Sequence, residues 1–379
     1  GRRNPVATMK LLGEEEGNSD IWKWVGVMAV SAGVLILSYY SVIAGWTITY
    51  IPKAFLGEFV GTDATSISKL FDDFVANPGS VILAHTIFMA INYFIIASGV
   101  KGLEKAVRFL MPGLLLLLFI LFLYSLTSGS FLDGVKFMFT PNFNALNWDG
   151  VLTAMGLACF TLSIGMGAIM AYGAYLPQET SITNATVSVV IADTGIAMLA
   201  GLVIFPLVFA NGLNPGEGPD LVFKTLPLVF GQMQVGTFLA TIFFVLLSFA
   251  ALTSALGLME PAVAWMIEST EYTRKQCAAT IASIIWFLGL GSALSFNTMA
   301  DFKFLNGTIY ENVDFLTSNI MLPLGAVFTT FFAAWIMSKN STSEELDGHS
   351  LTYNIWRFLA KYFSPIAILI IFLQAIGWI

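Results

Sequence analysis

Apolar residues run along this chain in long blocks separated by short polar ones. An α-helix needs ~20 apolar residues to cross the hydrocarbon of a bilayer. Nine blocks reach that length, roughly 22–49, 80–98, 106–127, 148–176, 181–210, 233–266, 277–295, 312–337 and 354–378. The linkers are 50–79, 99–105, 128–147, 177–180, 211–232, 267–276, 296–311 and 338–353. Several blocks exceed a minimal span, which predicts tilt or a break. The ten-residue alternation of a membrane barrel is absent. The pattern therefore predicts an all-α, polytopic membrane protein.

Composition agrees. Of the 379 residues, 57% are hydrophobic and 11% charged, against about 25% charged in soluble domains. The net charge of −7 sits in the linkers and says little. Lys and Arg do orient the chain. With the N-terminal end inside, Arg2, Arg3, Lys10, Lys23, Lys101, Lys105, Arg108, Arg274, Lys275, Lys339, Arg357 and Lys361 fall on the inner side. Lys53, Lys69, Lys136, Lys224 and Lys303 fall outside. Two outer linkers, "DGVKFMFTPNF" and "DLVFKTLPLVFGQM", read as short interfacial helices, the second able to fold back as a lid. Cys159 and Cys277 lie in or beside apolar runs, so no disulfide framework follows. His85 and His349 are too few for a histidine metal site, and H-E-x-x-H, P-loop and G-x-S-x-G motifs are absent. Catalysis is not expected.

Ionisable groups inside spans are costly and usually functional. Asp193, in "VVIADTGIAMLAGLVIFP", is the clearest; a bound cation explains its cost better than a bond to a neighbouring helix. For Glu260, in "LMEPAV", an interhelical bond or a wet inner cavity is the favoured reading. Asp314 reads equally as a solvated helix end or as a functional carboxylate. The stretch "FTLSIGMG" interleaves Thr161, Ser163, Gly165 and Gly167, which suggests local unwinding. Unwound backbone at membrane depth survives only beside a cavity or buried in protein. The bland alternative is small residues for close helix packing. In "SFAALTSALGLMEP", Thr253 and Ser254 share a face with the Ala250 carbonyl. Such hard oxygens suit Na+, unless the hydroxyls merely bond back along their own helix.

These motifs resemble those of the neurotransmitter:sodium symporters. "FTLSIGMGAIMAYGAY" is similar to the family's sixth helix, "SFAALTSALGLMEP" to its eighth, "ILSYYSVIAGW" to its third and "VDFLTSNIMLP" to its tenth. "GRRNPVA" looks like the end of the second helix and the first inner loop. The resemblance implies the LeuT-type inverted-repeat fold, lacking the first helix and most of the second. One transmembrane domain would span 1–379: a cytoplasmic segment 1–21, the remainder of the first repeat 22–127, the second repeat 148–337 and an additional helix 354–378.

The same resemblance implies sodium-coupled symport of amino acids, by a chain that is an incomplete copy of the transporter, in a prokaryotic inner membrane. It assigns one Na+ to Thr161 and Asp193 and a second to Ala250, Thr253 and Ser254. It assigns the substrate to Ile36, Tyr40, Phe160, Ser163, Met166, Ala255 and Leu258. Tyr40 and Phe160 would close the outer gate, with Asp314 the acidic half of an ion pair there; Tyr175 and Glu268 would belong to the inner gate. Asp193 stands where many members carry Asn, so chloride is not expected. Met166 stands where an aromatic ring is common, and with Ile36 and Leu258 it favours an apolar or aromatic side chain. No nucleic-acid partner is expected, and the oligomeric state stays open. A proton-coupled or uncoupled transporter of this fold, or a non-transporting truncated membrane protein, are the alternatives.

Overall fold

The computed structural model describes residues 3–17, 19–144, 146–177, 179–213, 218–305, 307–346 and 351–378; Arg2 and His349 of the sequence reading lie outside them. The described chain is almost wholly helical. In order it runs α1 (Pro5–Glu15), α2 (Lys23–Phe55), α3 (Ala64–Ala76), α4 (Pro78–Ala97), α5 (Val100–Ser125), α6 (Phe131–Phe139), α7 (Trp148–Thr161), α8 (Ala168–Tyr175) and α9 (Ile182–Ala210). It continues α10 (Gly218–Asp220), α11 (Leu226–Gly231), α12 (Gly236–Ser269), α13 (Arg274–Leu294), α14 (Ile309–Asp314), α15 (Leu322–Phe331), α16 (Lys339–Glu345), α17 (Leu351–Phe358) and α18 (Ser364–Ala375). π-helical turns at Leu221–Thr225, Phe315–Met321, Phe332–Ile336 and Leu359–Phe363 join α10 to α11, α14 to α15, the end of α15 to its loop, and α17 to α18.

Among the described residues, eight helical stretches are long and apolar enough to span a membrane. They match eight of the nine blocks, and the ninth block, 148–176, is split between α7 and α8. Boundaries shift where the backbone ignores polarity. α2 continues through Pro52 to Phe55, so its 33 residues measure about 50 Å at 1.5 Å per residue and must tilt in a bilayer ~30 Å thick. α5 starts at Val100 and absorbs Lys101, Lys105 and Arg108. The linker read at 99–105 shrinks to a turn at Ser98 and Gly99. Both interfacial helices are present. α6 packs on α9, and the stretch from Gly218 to Gly231 buries Phe223, Leu226, Val229 and Phe230.

α2 and α12 cross at the centre and pack on each other, on α4 and on α13. One core cluster surrounds Ile36, Met166, Ala255 and Leu258. The other is aromatic: Trp46 meets Phe71, Phe74, Phe223 and Phe296 edge-on, with centroids 5.1–6.4 Å apart. Buried polar groups hold helix pairs together. Thr47 and Ser248 share a 2.8 Å hydrogen bond between α2 and α12. His85, fully buried on α4, meets the Trp286 carbonyl of α13 at 3.2 Å, a structural role consistent with its isolation from other ligands.

Candidate functional site

The site is built around the break between α7 and α8. Asn147 caps the start of α7, its side chain accepting from the Gly150 amide at 2.7 Å. The helix then stops at Thr161 because alternate residues ahead turn left-handed: Ser163 at φ 55°, Gly165 at 87° and Gly167 at 74°. Glycine tolerates that region freely, whereas Ser163 is strained there. No helix propagates through such a sequence of dihedrals. The unwinding read from "FTLSIGMG" is thus a feature of the backbone. The C-terminal end of α7 and the N-terminal end of α8 face the break, bringing partial negative and positive charge to it.

Five of the seven residues expected around a substrate come together. Ile36, Met166, Ala255 and Leu258 belong to one buried cluster, and Tyr40 packs against it. They come from α2, the break and α12. Gly33, one turn before Ile36, lets the three approach: a Cβ there would lie 3.1 Å from the Leu258 carbonyl oxygen and 3.6 Å from that of Met166. The Tyr40 side chain faces Ser254 of α12. Ser163 is half-buried in the break, and Phe160, at the end of α7, is 40% exposed.

On α12, the Thr253 hydroxyl donates to the Ala250 carbonyl at 2.9 Å, so these two oxygens are adjacent, with Ser254 beside them on the exposed side. The bond is also the back-bonding that a hydroxyl makes on any helix. Thr161 likewise reaches back to the Ala158 carbonyl, at 3.4 Å. No hydrogen bond among the described residues joins Thr161 to Asp193, which is half-buried on α9.

At the end expected to face outward, Asp314 accepts from the Ser318 hydroxyl at 3.0 Å. At the opposite end, the two expected inner-gate residues make separate contacts. Glu268 accepts from the Asn4 backbone amide at 3.0 Å, just before α1. Tyr175 donates to Glu260 at 2.7 Å. Glu260 is 0% exposed and is held by the two terminal nitrogens of Arg274, one at 3.0 Å. The Arg274 Nε donates to the Ile96 carbonyl at 2.8 Å. Glu260 is therefore interhelical, as its favoured reading had it. Its partners Arg274 and Tyr175 went unread because only a buried carboxylate is visible in sequence; a cation at the head of the next span was the available signal.

The comparisons with known proteins agree with this architecture. The model of the sodium:neurotransmitter symporter family matches residues 57–378. An uncharacterized sodium-dependent transporter of Bacillus subtilis, YhdH, is 36% identical over 382 residues, covering 100% of this chain and 84% of its own. An uncharacterized sodium-dependent transporter of Haemophilus influenzae is 32% identical, covering 96% of this chain and 81% of its own. The crystal structure of MhsT in complex with L-phenylalanine superposes with a TM-score of 0.89 at 39% identity, covering 99% of this chain and 85% of that one. The fold is thus shared with a LeuT-fold relative. On this evidence the chain is a multi-pass membrane protein of the sodium:neurotransmitter symporter family, whose members are sodium-dependent transporters and not enzymes.

Proposed function

We propose that the protein carries amino acids with apolar or aromatic side chains across a bacterial cell membrane, driven by Na+, with its N-terminal end cytoplasmic. The observation that carries this reading is the convergence of Ile36, Met166, Ala255 and Leu258 beside unwound backbone, with Tyr40 at their edge. An apolar wall beside free backbone groups suits a molecule with a greasy side chain and a charged head. The L-phenylalanine held by MhsT is such a molecule. Met166, flexible and polarizable, adapts to side chains of different shape.

The donor chemistry fits Na+. Carbonyl, hydroxyl and a single carboxylate oxygen are hard ligands. Ala250, Thr253 and Ser254 would hold one ion, and Thr161 with Asp193 a second, at the negative end of α7. The Asp193 carboxylate supplies a fixed negative charge, so chloride is not required. The Tyr40 hydroxyl and the amides of the break would take the substrate carboxylate, and Phe160 would fold over it. Asp314 would close the outer side, and Tyr175 and Glu268 the inner side. Coupling then requires that ion and substrate favour the same conformation, each raising the affinity of the other by the same factor.

Binding of radiolabelled L-phenylalanine to the detergent-solubilised protein, in Na+ and in K+, tests this. Binding in Na+ alone supports the reading. Equal binding in both salts removes the coupling, and binding of neither phenylalanine nor leucine removes the substrate class.

A further inference from the structure

Tyr39 and Tyr40 are neighbours on α2, and successive helical residues point about 100° apart. Tyr40 turns toward Ser254 on α12. Tyr39, 6% exposed, turns toward α14 and the π-helical stretch that follows it. Its hydroxyl lies 3.5 Å from the Thr317 hydroxyl. Its ring meets Tyr310 edge-on at 5.7 Å. Thr317 spends its proton on the Val313 and Asp314 carbonyls, at 3.0 and 3.1 Å, so Tyr39 is the donor between the two. Ser318 in turn donates to the Asp314 carboxylate. The π-turns bring Asp314, Thr317 and Ser318 to one side, and such turns concentrate at functional sites.

We propose that Tyr39 is a positioning residue for the outer closure, holding through the Thr317 hydroxyl the turn that carries Asp314 and its partner Ser318. This rests on the reading of Tyr40 and Asp314 as parts of that closure. One turn of α2 thereby carries both the side chain that covers the substrate and the one that orients the acidic group across from it. Any tilt of α2 that moves Tyr40 moves the Asp314 support with it.

The test is Na+-driven uptake of L-phenylalanine in proteoliposomes by the unaltered protein, Tyr39→Phe, Asp314→Asn and the double variant. Phe keeps the ring against Tyr310 and removes the hydroxyl alone. The expected result is a rise of about fivefold in KM with the maximal rate within about twofold, the scale of one lost hydrogen bond between neutral groups. In the Asp314→Asn background the same change adds less than about twofold, because the two act as one unit. An equal effect in both backgrounds overturns the proposal. A second arm needs no transport: 3-fluorotyrosine at position 39, read by fluorine NMR in detergent, is expected to shift its line on Asp314→Asn. An unmoved line overturns the proposal even where uptake fails. Absence of Na+-driven uptake in the unaltered protein strikes the functional reading instead, and the fluorine line then decides this contact by itself.

Discussion

Gly165 and Gly325 meet backbone to backbone. A Cβ on residue 325 would lie 2.8 Å from the Gly165 carbonyl oxygen, and one on residue 165 would lie 2.5 Å from the Leu322 carbonyl oxygen. The unwound middle of the fourth apolar block is therefore seated on α15, next to the π-helical turns at Phe315–Met321. Unwinding alone would leave a floppy segment. The glycine pair holds it as a fixed surface against α15.

That seat makes Gly165→Ala a severe change. The left-handed conformation alone costs a non-glycine residue about 1–2 kcal/mol, and the clash with Leu322 adds to it. Loss of Na+-dependent phenylalanine binding is expected, with a lowered melting temperature in detergent. Gly173→Ala is the contrast, because a Cβ there meets nothing within 4 Å and alanine favours the helix by about 0.5–1 kcal/mol. Equal loss at both positions would show that glycine content, and not the seat, is what matters.

Glu260 and Arg274 form a buried pair whose halves are not separable. Glu260→Gln leaves the Arg274 guanidinium, with a side chain only 20% exposed, without its counter-charge. Breaking such a pair from one side costs about 3–5 kcal/mol. Replacing both, as Glu260→Leu with Arg274→Met, is expected to recover most of that loss. Tyr175→Phe removes one hydrogen bond and about 1 kcal/mol, in the range usual for such bonds. Thermal unfolding in detergent of the three variants checks the order. A double variant as unstable as Glu260→Gln would place the cost elsewhere.

Asp193 carries the chloride prediction. If its carboxylate is the fixed negative charge near a bound Na+, Asp193→Asn leaves that charge missing. Uptake by the variant is then expected to require chloride, while the unaltered protein is indifferent to replacement of chloride by gluconate. Chloride dependence in both proteins, or in neither, removes the role given to Asp193.

The spans were legible because bilayer physics writes them in twenty-residue apolar blocks. The break was legible too, since Thr161, Ser163, Gly165 and Gly167 are poor choices for a continuous helix. What stayed hidden depended on distance in sequence. Glu260 showed itself as a costly carboxylate, but Arg274 looked like one more inner cation until α13 brought it alongside. Gly325 gave no sign of its contact, because a glycine in a span reads as packing of any kind. The amphipathic α3 lay inside a linker taken as loop, its buried Ile67, Phe71 and Phe74 too widely spaced to make an apolar block. Nothing in "ILSYYSVIAGW" marks Tyr39; its contact needs the helix across from it.

α3 also receives the stretch Gly218–Gly231, the expected lid. Lys224, between α10 and α11, sits 3.2 Å from Asp72 of α3 and 3.3 Å from Asp220, with its ammonium 5.2 Å from the Phe71 ring centre. Gln232, after α11, donates to the Thr62 carbonyl at 3.1 Å. These contacts tie the lid to α3 and to the turn that precedes it. Burial pulls the Lys224 pKa down, but the bonds to Asp72 and Asp220 outweigh it and the net shift is upward. A raised pKa means that the contribution is complete below the ordinary lysine value of about 10.4 and fades as pH climbs through the higher folded value. The latch is thus constant across physiological pH. Lys224→Met keeps the apolar stem over Phe71 and removes the charge. It is expected to cost less than about 1 kcal/mol in global stability, as partly exposed pairs do. Locally the effect is larger: amides of 221–231 are expected to exchange about tenfold faster with deuterium, with α12 unchanged. Unaltered exchange in the lid would mean that its apolar residues, led by Phe223 and Phe230, hold it without the latch.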